Sequence, residues 1–405
     1  MSDRETLKGG AYGRMRFVVR CGVAVAVVLL CLPVLPWGWS VLVVPAASPF
    51  VMICSAVGRR SLGVIMWVGV PLLLIALLRR RWLCRWACPV GLLLELTGKL
   101  RRAAQRSWKR VPPIGQWIAL LTLGGALLGY PFLLWLDPLS LFSGFFSLVR
   151  QPLQAAAVAS AIGLPILVVT AFVWPSLWCA RLCPLGGTQE LLVAPKQMLQ
   201  RMRASRNDDQ ESPARGTPLA RRAVLAIGAG AACGAGRWAL GARDEAVLRP
   251  PGAVDAARFA GLCARCGSCV RVCPERIIHP DLGKTGVAGF LTPVVRFEET
   301  YCHEDCNRCT QCCPTGAIAQ LSLPQKRAAV MGLARVDMAM CLLAEERECA
   351  VCENQCPYDA VKIVFDEKEY RSTPRIDPEK CNGCGACQVA CPSTPKAIVV
   401  VPSSS

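Results

Sequence analysis

Cysteine dominates the chemistry that this sequence can perform. The chain has 405 residues, including 25 cysteines but only 2 histidines. So many thiols in a long chain indicate metal ligands rather than disulfides, because disulfide scaffolds are normally small and secreted. The two histidines, His279 and His303, both lie in the last third of the chain. A haem held by two histidines within a helix bundle is therefore excluded, and no C-x-x-C-H haem attachment sequence is present.

Sixteen cysteines form four motifs of one kind near the C-terminal end. Each motif has three closely spaced cysteines and a fourth that stands directly before proline. The first cysteines of successive motifs are 39, 39 and 40 residues apart, which indicates one repeated supersecondary unit. The four sets are Cys263, Cys266, Cys269 and Cys273; Cys302, Cys306, Cys309 and Cys313; Cys341, Cys349, Cys352 and Cys356; and Cys381, Cys384, Cys387 and Cys391.

This spacing is typical of bacterial ferredoxins, in which three cysteines hold one [4Fe–4S] cluster and the fourth belongs to the neighbouring cluster. Zinc is the alternative metal, since paired C-x-x-C sequences also bind zinc, but four successive Cys-Pro endings favour clusters. We predict four [4Fe–4S] clusters in an α+β polyferredoxin domain, residues 252–402, with short strands near 361–365 and 397–401. We pair the first motif with the fourth and the second with the third, which leaves Cys312 without a role.

A second set of cysteines stands beside apolar stretches in the first half. Two segments share the pattern C-x-x-x-C-P-x-G-x-x-x-E-L, which indicates an internal duplication. We predict that their thiols meet at one membrane face, either as ligands of a further iron–sulfur cluster or as redox-active dithiols. These thiols are Cys84, Cys88, Cys179 and Cys183. Packing is the simpler explanation for Cys21, Cys31, Cys54 and Cys233.

Membrane helices are the elements that must position these thiols. Hydrophobic residues make up 53% of the chain and charged residues 18%, and four apolar stretches are each about 20 residues long. Lysine and arginine gather on one side of these stretches, so the net charge of +18 indicates topology rather than nucleic-acid binding. We predict four transmembrane helices as two parallel hairpin repeats, with a cytoplasmic N-terminus and with Ser48-Pro49 and Asp137-Pro138 in the outer loops. The stretches are residues 17–36, 62–78, 114–136 and 152–177.

A polar and basic linker, residues 196–222, separates the transmembrane module, residues 1–195, from the cysteine-rich domain. The linker ends in Arg221-Arg222, and a mildly apolar run rich in alanine and glycine follows. Residues 223–241 resemble a twin-arginine signal. We favour a fifth crossing, which places the cysteine-rich domain in the periplasm; a cytoplasmic packing helix is the alternative.

The duplicated motifs on a four-helix module resemble the membrane ferredoxin-type quinol dehydrogenase component of the NapH type. The four-motif domain, with its long spacing between Cys341 and Cys349, resembles periplasmic four-cluster ferredoxin-type proteins of the NapG/MauM type. The chain is thus similar to a fusion of two partners, in which the exported-type domain replaces the two-cluster tail that the membrane component usually carries. The resemblance implies a multi-pass protein of the bacterial inner membrane that passes electrons between quinol and a periplasmic or membrane redox partner.

Quinol oxidation also requires proton acceptors near the membrane. Asp137, Glu95 and Glu190 are the candidates, although acids at helix ends are often plain interfacial residues. The expected ligands and partners are quinone, membrane lipid and a redox protein, without haem or nucleic acid. The alternative function is electron donation for the maturation or regulation of a partner metalloenzyme, without quinol turnover.

Overall fold

The computed structural model describes residues 2–32, 40–61, 63–100, 108, 110–149, 154–205, 218–239, 246–345, 347–367 and 370–403. Helices occupy most of the described residues before 240, and within the described ranges every strand lies beyond residue 277. The first part is called the helical half here, and the part from residue 246 onward is called the ferredoxin half.

The helical half contains twelve α-helices in its described residues. They are α1 Ser2–Cys31, α2 Ser40–Ala46, α3 Pro49–Arg59, α4 Val70–Leu78, α5 Trp82–Trp86, α6 Pro89–Leu100, α7 Ile114–Leu127, α8 Pro138–Phe145, α9 Ala155–Ala161, α10 Gly163–Val173, α11 Pro184–Ser205 and α12 Pro218–Ala239. Short 3₁₀ segments cover Val64–Gly69, Leu134–Leu136 and Phe146–Val149, and a π-helical turn covers Trp178–Leu182.

One helical segment in the described residues, Ala155–Val173, is long and apolar enough by itself to cross a membrane. The pair Ser40–Ala46 and Pro49–Arg59 meets the same criterion only when taken together, and it is bent by 90°. The expected helix over 114–136 is shorter than predicted, because α7 ends at Leu127 and Gly129 takes a positive φ of 82°. Four membrane-spanning helices therefore stay a prediction.

Ser48 and Asp137 are buried helix caps in connections between helices. Ser48 caps α3 and Asp137 caps α8, where its carboxylate accepts from the Ser140 amide at 2.9 Å. The Ser48 hydroxyl donates to the Asp137 carboxylate at 2.6 Å, and both side chains are completely buried. Each cap satisfies a helix N-terminus, and the outer side of the membrane stays a prediction for these two connections.

Helix α12 packs along α7 through a seam of glycines. A Cβ at Gly124 would lie 2.1 Å from the Ile227 carbonyl oxygen, and the Trp238 indole donates to the Leu128 carbonyl at 3.1 Å. Gly124 meets Ile227, and Leu128, further along α7, meets Trp238, further along α12. The two helices α7 and α12 therefore run parallel. Small residues that let two backbones approach this closely are typical of helix pairs in membranes.

Replacing Gly230 by alanine should open this seam. The added Cβ would lie 2.0 Å from the Leu121 carbonyl oxygen, and we expect a destabilisation of about 1–3 kcal/mol from overpacking. Gly228→Ala is the matched control on the same helix, where no atom lies within 4 Å. Thermal unfolding of the two variants in detergent tests the seam, and equal melting temperatures would contradict it.

The ferredoxin half contains six strands in its described residues. They are β1 Ile278–Pro280, β2 Pro293–Val295, β3 Leu333–Val336, β4 Val361–Asp366, β5 Arg371–Ile376 and β6 Ile398–Val401. The strands predicted near 361–365 and 397–401 are confirmed as β4 and β6.

These strands belong to two units of similar design, and all pairs are antiparallel. In the first unit, residues 252–319, the Ala319 amide donates to the Gly252 carbonyl at 2.7 Å and joins the two ends, and β1 pairs with β2 as an inner hairpin. In the second unit, residues 333–401, β3 pairs with β6 and joins the ends, with Leu333 opposite Val401, and β4 pairs with β5 as the inner hairpin.

Short helices complete these units. They are α13 Ala256–Leu262, α14 Ser268–Val272, α15 Gly286–Gly289, α16 Leu323–Ala328, α17 Val351–Asn354 and α18 Ala386–Ala390.

Candidate metal centres

Four cavities in the ferredoxin half are each lined by four motif cysteines. In every cavity three cysteines come from one motif, and the fourth comes from the other motif of the same unit. We number each site by the motif that supplies three cysteines. Site 1 has Cys263, Cys266, Cys269 and Cys313; site 2 has Cys302, Cys306, Cys309 and Cys273; site 3 has Cys341, Cys349, Cys352 and Cys391; site 4 has Cys381, Cys384, Cys387 and Cys356.

The predicted pairing of the motifs is therefore wrong. The structure pairs the first motif with the second and the third with the fourth, not the first with the fourth. The reason is the strand pairing, because the ends of each unit join to each other and bring the two motifs of that unit together. Each fourth cysteine crosses to the neighbouring site of its own unit, as the bacterial ferredoxin pattern requires.

The donor set of each site fits an iron–sulfur cluster. Four motif thiols line each cavity, and four cysteine thiolates are the ligands of a [4Fe–4S] cluster. Burial raises the pKa of Cys263 and of Cys387 to about 12, so iron must displace the thiol protons when it binds.

Cys312, which had no predicted role, lies between the first two sites. It lines the cavity of site 1 and is fully buried, and its thiol contacts the Cys309 carbonyl oxygen of site 2 at 3.2 Å. Cys312 also packs against Val41 of the helical half. The Cys312 thiol therefore fills the space where sites 1 and 2 meet the helical half.

The four sites follow one another in the order 1, 2, 4, 3. Cys312 bridges sites 1 and 2, and the Cys302 amide of site 2 donates to the Cys384 carbonyl of site 4 at 2.9 Å. Sites 4 and 3 share the second unit, where Cys387 and Cys352 are close enough to interact electrostatically. These contacts link the four sites in one continuous series.

The thiols of the duplicated motifs in the helical half also interact with one another, and we call them the membrane-face thiol site after their predicted location. Electrostatic interactions link Cys88 and Cys183 to both Cys84 and Cys179. A Cβ at Gly186 would lie 3.8 Å from the Cys84 sulfur, so this glycine leaves room beside the thiols. That these four thiols form one redox or cluster site stays a prediction.

The backbone of both motifs has the same form, which explains the sequence pattern. The amides of Cys88 and Cys183 donate to carbonyls five residues earlier, at 2.9 and 2.8 Å. Each cysteine then stands just before a helix that begins at proline, α6 or α11. The Gly91 amide donates to the Cys88 sulfur at 3.4 Å. Two helix N-termini therefore face the thiols and favour negative charge there.

The two glutamates of the duplicated motif are held in ion pairs. Glu95 pairs with Arg20 and with Lys99 at 3.0 Å, and Glu190 pairs with Arg80 at 2.5 Å and Arg81 at 3.0 Å. Burial raises the pKa of both carboxyls, but hydrogen bonds from these cations outweigh it, and both pKa values lie below the ordinary value. Carboxylates held ionised in this way are poor proton acceptors near neutral pH.

Arg271 of the first motif joins the ferredoxin half to the helical half. Its side chain is 1% exposed and donates to the Ser143 hydroxyl at 2.6 Å and to the Ser143 carbonyl, with a longer bond to the Val41 carbonyl. Arg258 adds a bond to the Gly58 carbonyl at 2.9 Å. Arg271 also interacts electrostatically with Cys266, so site 1 is the site seated on the helical half.

Helix α8 connects this junction to the membrane-face thiol site. Its cap, Asp137, interacts electrostatically with Cys84 and Cys88, and Ser143 of the same helix bonds to Arg271. The two residues are separated by about 9 Å of helix. Helix α8 therefore leads from a cap in the electrostatic neighbourhood of the membrane-face thiols to the junction with the ferredoxin half.

Sequence reasoning missed several residues that shape these sites. Gln189 is buried, and its side-chain amide donates to the Cys84 sulfur at 3.3 Å. The equivalent residue in the first repeat is Leu94. A comparison of the two repeats would therefore have singled out Gln189 as a polar residue at an otherwise apolar position. Arg271 had no comparable signal, because its partners in the helical half, Ser143 and Val41, lie more than a hundred residues away.

Removing iron from the full chain should unfold the ferredoxin half and spare the helical half. The apolar clusters of the ferredoxin half include site cysteines such as Cys273 and Cys391, so an empty site leaves these clusters without support. Hydrogen exchange before and after chelation measures the effect in each half. Unchanged protection of residues 246–403 after complete iron loss would contradict this expectation.

Comparisons with known proteins agree with this chemistry. The family described as "4Fe-4S dicluster domain" matches residues 347–394, and the family described as "4Fe-4S binding domain" matches residues 61–107 and 156–200. The dicluster match includes cysteines of the third and fourth motifs, and the second family matches both copies of the duplicated motif. No solved structure matches the chain significantly.

Similar proteins cover about two fifths of the chain. The methylamine utilization ferredoxin-type protein MauM of Methylophilus methylotrophus is 34% identical over 169 residues, which is 40% of this chain and 73% of that protein. The ferredoxin-type protein NapG of Escherichia coli K12 is 34% identical over 167 residues, or 39% of this chain and 71% of that protein. On these cysteine sites and this similarity, the chain belongs to the MauM/NapG family of ferredoxin-type iron–sulfur electron carriers.

Proposed function

We propose that the chain is a membrane-bound electron wire that passes electrons from quinol, through a further cluster and four [4Fe–4S] clusters, to a periplasmic acceptor protein. The observation that carries this proposal is the serial arrangement of cysteine sites. The membrane-face thiol site comes first, site 1 is seated on the helical half, and sites 2, 4 and 3 follow. A catalyst that works at one centre does not need such a series, but an electron carrier between two partners does.

The membrane location rests on the charge pattern and on the direction of the helices. Helix α12 has 22 residues, about 33 Å, so its length matches a bilayer about 30 Å thick, although Ala155–Val173 is the described segment that is also apolar enough by itself. Cys183 lies against Gly115 at the start of α7, whereas Gly261 of the ferredoxin half lies against Tyr130 beyond its end. Because α12 runs parallel to α7, it leads from the basic linker toward the ferredoxin half, which supports a fifth crossing and a periplasmic ferredoxin half.

The cysteines of sites 1 to 4 would hold the four clusters, and the membrane-face thiols would hold the further one. Such clusters accept and release single electrons. The protein contributes the ligands, the buried surroundings and the positive charges, which tune the reduction potentials. Arg271 beside site 1 and the two helix N-termini at the membrane-face thiol site favour the more negative, reduced form.

Asp137 is the proton acceptor that we assign to quinol oxidation. Each quinol releases two electrons and two protons, and a base must take the first proton near the first electron acceptor. Asp137 is buried near Cys84 and Cys88, and its hydrogen-bond partners Ser48 and Ser140 are neutral. Glu95 and Glu190 are bound to cations and do not fit this role.

Reconstitution of the full chain in lipid vesicles tests the function. We expect about twenty irons per chain, from five clusters, and reduction of the clusters by a short-chain quinol under anaerobic conditions. Electron paramagnetic resonance follows the reduced clusters, and dithionite gives the full signal for comparison. Clusters that stay oxidised with quinol but accept electrons from a reduced flavodoxin would overturn the quinol assignment and favour the maturation role.

A reporter fused after Gly252 tests the topology separately. Alkaline phosphatase is active only outside the cytoplasm, and protease added to spheroplasts reaches only periplasmic segments. We expect an active phosphatase fusion at this position and cleavage of the ferredoxin half, with a fusion after Leu100 as the cytoplasmic control. An inactive phosphatase at Gly252 together with a protected ferredoxin half would place the ferredoxin half in the cytoplasm.

A further inference from the structure

The loop between β1 and β2, residues 281–292, is held rigidly by its own polar groups; we call it the tip loop. Asp281 is completely buried, and its carboxylate accepts from the amides of Lys284 at 3.1 Å and Thr285 at 2.9 Å. At the other end, the Thr292 hydroxyl donates to the Gly289 carbonyl, and Arg249 donates to the Thr292 hydroxyl at 2.7 Å. These bonds fix the loop in one shape.

The rigid tip loop exposes apolar side chains and buries polar ones. Val287 is 94% exposed, Leu282 44% and Phe290 40%, whereas Asp281 and Thr285 are buried. This is the reverse of an ordinary surface loop, which shows polar groups to water. Lys284 is exposed beside the apolar side chains. Apolar side chains next to a lysine are typical of segments that lie in a membrane interface.

The tip loop lies beside the first turns of the most apolar helical segment. Leu291 of the loop and Ser160 of α9 line the same cavity, and His279, just before the loop, bonds to Gln154, just before α9, at 2.8 Å. Arg265 donates to the Ala288 carbonyl at 2.7 Å and lies over the Trp135 ring at 5.2 Å. The loop is thus tied both to site 1 and to the helical half.

The outer surface of this helical segment is apolar and exposed as well. Val158 and Ile162, in the turns next to the tip loop, are 44% and 47% exposed, and Ile166 and Val169 further along are 54% and 61% exposed. In the proposed membrane these side chains face lipid. The apolar surface of the tip loop continues this surface at its periplasmic end.

We infer that the tip loop inserts Leu282, Val287 and Phe290 into the outer lipid interface beside α9, with Lys284 at the headgroups. This inference rests on the proposed membrane location. The inserted loop holds site 1 at a fixed height above the membrane, because Arg265 connects the loop to the motif of site 1. The partner of this surface is therefore lipid and not a protein.

Site-specific photocrosslinking tests the inference in the full chain. A benzophenone amino acid replaces Val287, and the iron-loaded protein is placed in nanodiscs of phosphatidylcholine and phosphatidylglycerol. Tyr370, which is 85% exposed on the β4–β5 hairpin, is the matched control, and Ile166 is the reference for a lipid-facing position. Mass spectrometry counts peptides that carry a lipid adduct after illumination.

We expect at least about tenfold more lipid adducts at position 287 than at position 370, because only an inserted side chain meets acyl chains. Adducts at 166 but not at 287 would overturn the inference and leave the proposed membrane location intact. Absence of adducts at 166 as well would overturn the membrane location itself. Adducts at 287 with a second protein copy instead of lipid would show that the loop is a protein contact.

Discussion

Replacing Cys391 by alanine should remove the same iron–sulfur signal as replacing Cys349. Both cysteines line site 3, so either change removes a ligand of one cluster, and we expect a loss of about four irons per chain. Replacing Cys266 removes a ligand of site 1 and should give a different spectral loss. The pairing of the first motif with the fourth would instead make the Cys391 and Cys266 variants alike.

The iron content and the electron paramagnetic resonance spectrum of the reduced protein distinguish these outcomes. Cys233→Ala is the control, since this exposed thiol lies on α12 and lines none of the four sites. It should keep the full iron content. If the Cys391 variant lost the signal of site 1 and kept that of site 3, the strand pairing of the two units would be wrong.

Arg271→Met should separate the ferredoxin half from the helical half without emptying the sites. The change removes a buried cation and leaves the Ser143 hydroxyl and carbonyl without their donor, at a cost of about 3 kcal/mol. A free-energy cost of this size lowers the equilibrium constant for docking of the two halves roughly a hundredfold. We expect reduction of the ferredoxin clusters by quinol to slow strongly, while dithionite still reduces all of them.

Arg335→Met is the matched control, because Arg335 is an exposed arginine on β3, far along the chain from the junction. Stopped-flow reduction of both variants in nanodiscs provides the rates, and the iron content shows that the clusters are present. Equal rates for the two variants would mean that Arg271 does not hold the electron path together. A loss of iron in the Arg271 variant alone would show a role in cluster binding instead.

Local pattern was a good guide to which residues form the sites. All sixteen motif cysteines line cavities, and the electrostatic interactions among the four membrane-face thiols are compatible with the duplication. A cluster-binding loop is short, so its ligands are close in the chain and visible as spacing. The strands β4 and β6 were also visible, because apolar residues flank the motifs.

Longer-range features were not visible in the same way. Ser48 and Asp137 were expected at similar places in the two repeats, but their roles as buried helix caps that bond to each other depend on residues 89 positions apart. Glu95 and Glu190 were candidate proton acceptors until the cations around them were known. Their partner Arg20 is 75 residues from Glu95, and Arg80 is 110 residues from Glu190.

The sequence by itself therefore determined the candidate ligands, the kind of cluster, the duplication and the class of protein. Only the tertiary structure decided which motifs share a unit, in what order the sites follow, and where they touch the helical half. The four motifs are nearly equivalent as sequences, so spacing alone cannot choose among their pairings. The choice depends on which strands pair, as Leu333 does with Val401, and on single buried contacts such as that of Arg271 with Ser143. Such contacts between distant residues form only when the chain has folded.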